Sequence, residues 1–127
     1  MRPSLPPVLP RLLLIAFVAL LPATARAQND PESRRAAIAA MYPVMMQALA
    51  AKSYGSARNI CDQAILWEPQ NPVHHYNLAC IEAQTGARRF PQAFAALEQA
   101  VALGFKDTQH LQADPALAPL RGDPRFA

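Results

Sequence analysis

One pattern occurs twice in this chain and limits its fold more than any other feature. Tyr54, Ala57, Cys61 and Ala64 are matched, 36 residues on, by Phe90, Ala93, Leu97 and Ala100. Each copy reads aromatic, small, large, small at offsets of 3, 7 and 10. Steps of three and four residues return to one face of an α-helix. Small residues on that face let a second helix approach, and the aromatic and large ones fill the space beside it. A pattern recurring at this interval is the mark of a repeated helical unit.

The stretch 54–86 organises the rest. Ala57, Ile60, Cys61, Ala64 and Ile65 fall on one face of a helix expected over 54–67. Glu68-Pro69-Gln70-Asn71-Pro72 stops it, and Asn71 followed by Pro72 caps and opens the next helix. That helix is expected to reach about Thr85, where Gly86 ends it. Arg88 to Pro91 reads as a second turn. A further helix is expected over 91–103, with Phe94, Leu97, Ala100 and Val101 on its buried stripe. Upstream, Asp30, Pro31 and Glu32 make a helix start. The Ala- and Met-rich pattern 32–52 has high helix propensity, though Pro43 interrupts it. It is expected as one kinked helix. No useful period-two alternation occurs, so strands are not expected. In the tail, Pro115, Pro119 and Pro124 break short apolar pieces, leaving helical turns near 107–112 and 115–121. Leu111, Leu117, Leu120 and Phe126 are expected to cover the exposed end of the stack, as a cap over 105–127.

The first 27 residues carry a different signal. Arg2 and Arg11 precede an unbroken apolar run, 12–21, and then Ala23-Thr24-Ala25-Arg26-Ala27. Charged start, apolar core and Ala-x-Ala site form the order of a secretory signal peptide, with cleavage expected after Ala27. The run is too short to cross a hydrocarbon core, which takes roughly 20 residues, so no stable membrane anchor is expected after cleavage. A domain over 28–127 and a periplasmic or secreted location follow from this reading.

Removing the leader also changes the charge. The chain holds 12 basic and 9 acidic residues. Arg2, Arg11 and Arg26 lie in the leader, which has no acid, so 12 less 3 leaves nine of each sign. The basic balance belongs to the targeting segment, and nucleic acid is not expected as a partner.

No constellation of catalytic residues is visible, so an enzyme is not expected. His74 and His75 are adjacent and point about 100° apart on a helix, while His110 lies far off in the tail. A metal site needs three or four converging ligands, so neither metal nor cofactor is expected. Cys61 and Cys80 lie on neighbouring helices, and in an oxidising compartment two alternatives stay open: a disulfide between them, or two separately packed thiols.

These residues resemble the tetratricopeptide repeat family, a helix-turn-helix unit of about 34 residues. Tyr54, Ala57, Cys61, Ala64 and Pro69 fit its back helix and closing Pro, as do Phe90, Ala93, Leu97 and Ala100; Leu78, Ala79 and Gly86 fit its front helix. The resemblance implies an all-α chain: two helical hairpins, about 38–71 and 72–104, in a short right-handed solenoid with a helical C-terminal cap. The tail also looks like the closing segment of bacterial members. Two extra residues sit between Gly86 and Phe90, Gly104-Phe105 replaces the closing Pro, and three further positions depart from the pattern. Glu82 stands where an aromatic is usual, Lys52 where Gly is usual, and Pro43 is out of place. By this resemblance the chain is a protein–protein interaction module of the bacterial envelope. A partner peptide or helix lies in an apolar concave groove of Tyr42, Met46 and Leu49 with Val73, Tyr76, Asn77, Cys80 and Gln84. The alternative is a structural accessory subunit that assembles with itself, as a homo-oligomer, or with a larger complex through its tail and outer face.

Overall fold

The structure, a computed structural model, describes residues 30–127. The expected signal peptide, 1–27, and its cleavage site lie outside the described residues. The chain divides into two compact units, 1–37 and 38–127. Every regular element among the described residues is helical, and none is a strand. No described helix is long and apolar enough to cross a membrane.

Of the first unit, the described residues 30–37 hold the start of helix α1 (Pro31–Ala50). Asp30 accepts the Ser33 N–H at 2.9 Å, satisfying a donor that the first turn leaves orphaned. In the second unit α1 runs on through Pro43 as one helix and buries only Ile38 and Met45. It closes through Ser53 N–H to Ala48 carbonyl, 2.8 Å, and Lys52 N–H to Leu49 carbonyl, 2.9 Å. That closure puts Lys52 at φ 57°, in the left-handed region that favours Gly. The departure noted in the sequence is therefore a real conformational demand met by the wrong residue type.

Helix α2 (Tyr54–Trp67) buries Ala57, Cys61 and Ala64, as its stripe predicts. Glu68 and Asn71 build the following turn. The Asn71 amide donates to Glu68 at 3.0 Å, and its oxygen accepts the Val73 N–H at 3.1 Å. Helix α3 (Pro72–Thr85) buries His74, Tyr76 and the whole run Ala79 to Ala83. Residues so closely spaced cannot all lie on one stripe. This helix is covered on more than one side, by α2, by helix α4 (Phe90–Ala102) and by the tail. Gly86, at φ 126°, ends α3, and a 3-10 turn (Ala87–Arg89) leads into α4.

Two apolar clusters result. Met45, Ala57, Cys61 and Ile81 form one, with Tyr42, Leu49, Tyr54 and Leu78 packed around them. Tyr76, Cys80, Ala83, Ala93, Phe94, Ala100, Leu117 and Leu120 form the other. Helix α4 closes as α1 does, with Gly104 at φ 106° and Phe105 N–H on the Ala100 carbonyl at 2.9 Å. Then come helix α5 (Thr108–Ala113) and two 3-10 turns, Pro115–Leu120 and Pro124–Phe126. Asp107, Asp114 and Asp123 each cap the turn that follows. Leu117 and Leu120 are fully buried in the second cluster, and Leu111 and Phe126 pack against it partly buried. Removing the side chain of Leu117 or Leu120 would cost about 2–5 kcal/mol.

Candidate functional site

The expected groove residues do not all meet on an open surface. Met46 and Val73 are exposed, at 57% and 43%. Leu49 is half-buried among the first cluster. Asn77 donates its side-chain amide to the Tyr42 hydroxyl, which ties α3 to α1 and leaves that amide engaged within the chain. Burial holds the Tyr42 phenol above its usual range, so it stays neutral. Gln84 donates to the Cys80 carbonyl at 3.1 Å, along its own helix.

Tyr76 and Cys80 correct the sequence expectation. Both are buried, and the tail is what covers them. The Phe105 ring stacks on Tyr76, with centroids 4.5 Å apart and planes within 6°. The Tyr76 hydroxyl donates to Asp114 Oδ2 at 2.5 Å, and the Cys80 thiol approaches the same oxygen at 3.8 Å. His110 Nε2 lies 3.5 Å from it. Burial alone would raise the Asp114 carboxyl. The bonds from Tyr76 and the Ala116 N–H, with the His110 charge, outweigh burial and hold it below its ordinary value. Burial, with Asp114 beside it, pushes the Tyr76 phenol well above its own. The second half of the expected groove is thus filled from within.

Of the two alternatives for the cysteines, the structure has two separately packed thiols. Cys61 and Cys80 are free, and each belongs to a different cluster. The Cys61 thiol donates to the His74 carbonyl at 3.1 Å, whereas Cys80 faces Asp114. Burial pushes both thiols up to about 12, which leaves them protonated and unreactive at neutral pH.

One charged site escaped the sequence reading. Glu82, only 2% exposed, accepts from two arginines. Arg58 of α2 reaches it at 2.7 and 3.0 Å, and Arg89 of the 3-10 turn at 2.6 and 2.7 Å. Two forked guanidinium groups satisfy both carboxylate oxygens. The position that departs from the aromatic pattern therefore carries an ionic tie between α2, α3 and the turn before α4. The signal was an acid inside the apolar run Leu78-Ala79-Cys80-Ile81-Glu82-Ala83. His74, also buried, bonds Glu68 at 2.9 Å, and His75 bonds the Pro69 carbonyl. Both histidines serve the turn.

An open recess lies elsewhere. An apolar cleft of about 630 Å³ runs between α4 and the tail. Phe94, Leu97 and Val101 form one wall, Leu111 and Phe126 the other. Val101, expected in the buried stripe of α4, is 54% exposed here. The Arg125 guanidinium sits 4.5 Å above the Phe94 ring and pairs with Asp123 at 2.6 Å. Glu98, on the cleft wall, has no partner among the described residues. Such a recess offers burial to an apolar guest and little to fix a reacting group. No family model matches the chain, and neither a curated protein nor a solved structure matches it.

Proposed function

We propose that this chain is a non-enzymatic binding module of the bacterial envelope. It is a short solenoid of two tetratricopeptide-like helix pairs with a helical cap, and it holds an apolar segment of a protein partner. The observation that carries this reading is the cleft between α4 and the tail, about 630 Å³ and walled by Phe94, Leu97, Val101, Leu111 and Phe126. An exposed apolar recess of this kind on a small chain gains free energy when a partner covers it. The binding surface sits at the end of the stack, because Phe105 and Asp114 occupy much of the concave face. A second reading, an accessory subunit that assembles with itself or a larger complex, draws on the same cleft, since the tail forms one of its walls.

A photo-crosslinking amino acid placed at Val101, and separately at Met46, tests both in the source cells. A discrete adduct with another protein from position 101 is expected. An adduct at twice the mass of the chain favours the accessory-subunit reading. Adducts from position 46 alone return the site to the concave face, and none from either position overturns the proposal.

A further inference from the structure

The tail lies against α3 as a strap fixed at two ends. At one end the Phe105 ring stacks on Tyr76, and the Phe105 N–H closes α4 on the Ala100 carbonyl. At the other, Asp114 accepts from the Tyr76 hydroxyl, and Leu117 and Leu120 beyond it are fully buried. Between these points helix α5 buries no residue. Residues 106–110, 112 and 113 are exposed, and Leu111 packs partly buried against the second cluster. The His110 ring tilts against Tyr76, with centroids 5.5 Å apart, while about half of its side chain stays in water. Among the described residues, the hydrogen bonds of 106–113 stay within 106–114.

A segment with few buried side chains and its backbone bonds in water opens locally, ahead of the unit that carries it. Opening uncovers one side of α3: the face of the Tyr76 ring, its hydroxyl, and the Cys80 thiol. In the closed chain these receive one aromatic ring and one carboxylate. A hydroxyl in such a place loses free energy when its acceptor leaves and no other replaces it. The socket therefore favours the same two groups again, a ring to stack and an acid to accept. Both groups meet the same side chain, so a segment that replaces them needs its aromatic and its acid within the length of one tyrosine.

We propose that the strap is an internal ligand of α3, and that it yields the socket of Tyr76 and Cys80 to a partner segment bearing an aromatic residue and a carboxylate. This rests on the reading of the chain as a binding module and gives it a second, gated surface. The tail's own contacts name the partner's chemistry, and the exposed α5 supplies the give.

The test uses the full chain and a fluorescent peptide with the sequence of residues 103–116, beside the same peptide carrying Phe105→Ala and Asp114→Asn. In the native chain the amides of Leu111 to Asp114 should exchange at rates that low urea leaves unchanged, at least tenfold faster than those of α3. Protection equal to that of α3 overturns the proposal. Phe105→Ala with Asp114→Asn in the chain removes the ring and one acceptor oxygen and leaves the other for the Ala116 N–H. That variant, folded by circular dichroism, should bind the unsubstituted peptide at least tenfold more tightly than the native chain does, and should not bind the substituted one. If the double variant does not fold, Phe105→Ala alone serves in the same comparison. Equal affinity of variant and native chain, or equal binding of the two peptides, overturns the proposal. So does self-association of the native chain in sedimentation that Phe105→Ala abolishes, since the tail of a second copy then fills the socket. An adduct with a different protein from position 101 without peptide binding sinks this inference alone. No adduct from position 101 or 46 sinks the binding reading and this inference with it.

Discussion

The guanidinium of Arg58 on α2 holds the carboxylate of Glu82 on α3 through two hydrogen bonds, of 2.7 and 3.0 Å. Arg89 grips the same carboxylate from the other side of the chain turn. Burial alone would raise this carboxyl. The bonds from Arg89 and Arg58, with their charges, outweigh burial and keep it below its ordinary value of 4.5. A group whose folded value is depressed stabilises fully above its unfolded value, and that contribution is lost as pH falls through the folded one. Stability measured by urea unfolding should therefore be level from pH 7 to about 5 and fall below about 4.5. Glu82→Gln should cost about 2 kcal/mol at pH 7, less than for a fully enclosed pair because the arginines reach water. It should also flatten the acid limb, leaving the part due to Asp30, Asp114 and Asp123. Parallel acid limbs for the two proteins would refute the assignment.

Lys52 occupies a left-handed backbone position, with φ 57°. A side chain there crowds its own carbonyl, and Gly does not. Lys52→Gly should raise stability by about 1 kcal/mol, seen as a higher unfolding midpoint. Gly104→Ala, at φ 106° in the matching closure of α4, should lower it by a similar amount. The general entropic cost of Gly would give the reverse sign for each change, so it cannot produce this pair of results.

The tail is held to α3 by a ring stack and a hydrogen bond to one carboxylate. Tyr76→Phe keeps the stack on Phe105 and removes the donor to Asp114. It should cost about 1–2 kcal/mol, since Cys80, His110 and the Ala116 N–H still serve that carboxylate. Amide hydrogen exchange should quicken over 105–114 and stay slow through α3. Uniform quickening across the second unit would show that the tail has no separate opening.

Burial pushes the thiols of Cys61 and Cys80 up to about 12. The native protein should therefore resist iodoacetamide at pH 8 and take up two adducts in urea. Reductant should leave the melting temperature unchanged. A native mass lower by two hydrogens, restored by reductant, would replace the two packed thiols with a bridge.

The helices were legible because their signals are local. Asn71 with Pro72, the stripe of Ala57, Cys61 and Ala64, and Gly86 each act within a few residues. What lay hidden depends on distant pairing. Tyr76 lies 38 residues from Asp114, and Arg58 lies 24 from Glu82. An aromatic at a groove position reads the same whether or not a tail later folds over it. Val101 was misplaced for a related reason: it continues the apolar spacing of α4, but it lines the open cleft between α4 and the tail.

Helix α3 stands between the two apolar clusters, with Ile81 in one and Tyr76, Cys80 and Ala83 in the other. It serves as a party wall whose two sides are furnished independently. In a saturation scan of every position, α2 should show sensitive sites spaced three and four apart with tolerant ones between. The run from Ala79 to Ala83 should show sensitivity at every residue, because no substitution there can be turned away from a neighbour. A change seated beyond α4 would disturb one room of this structure and leave the furniture of the other in place.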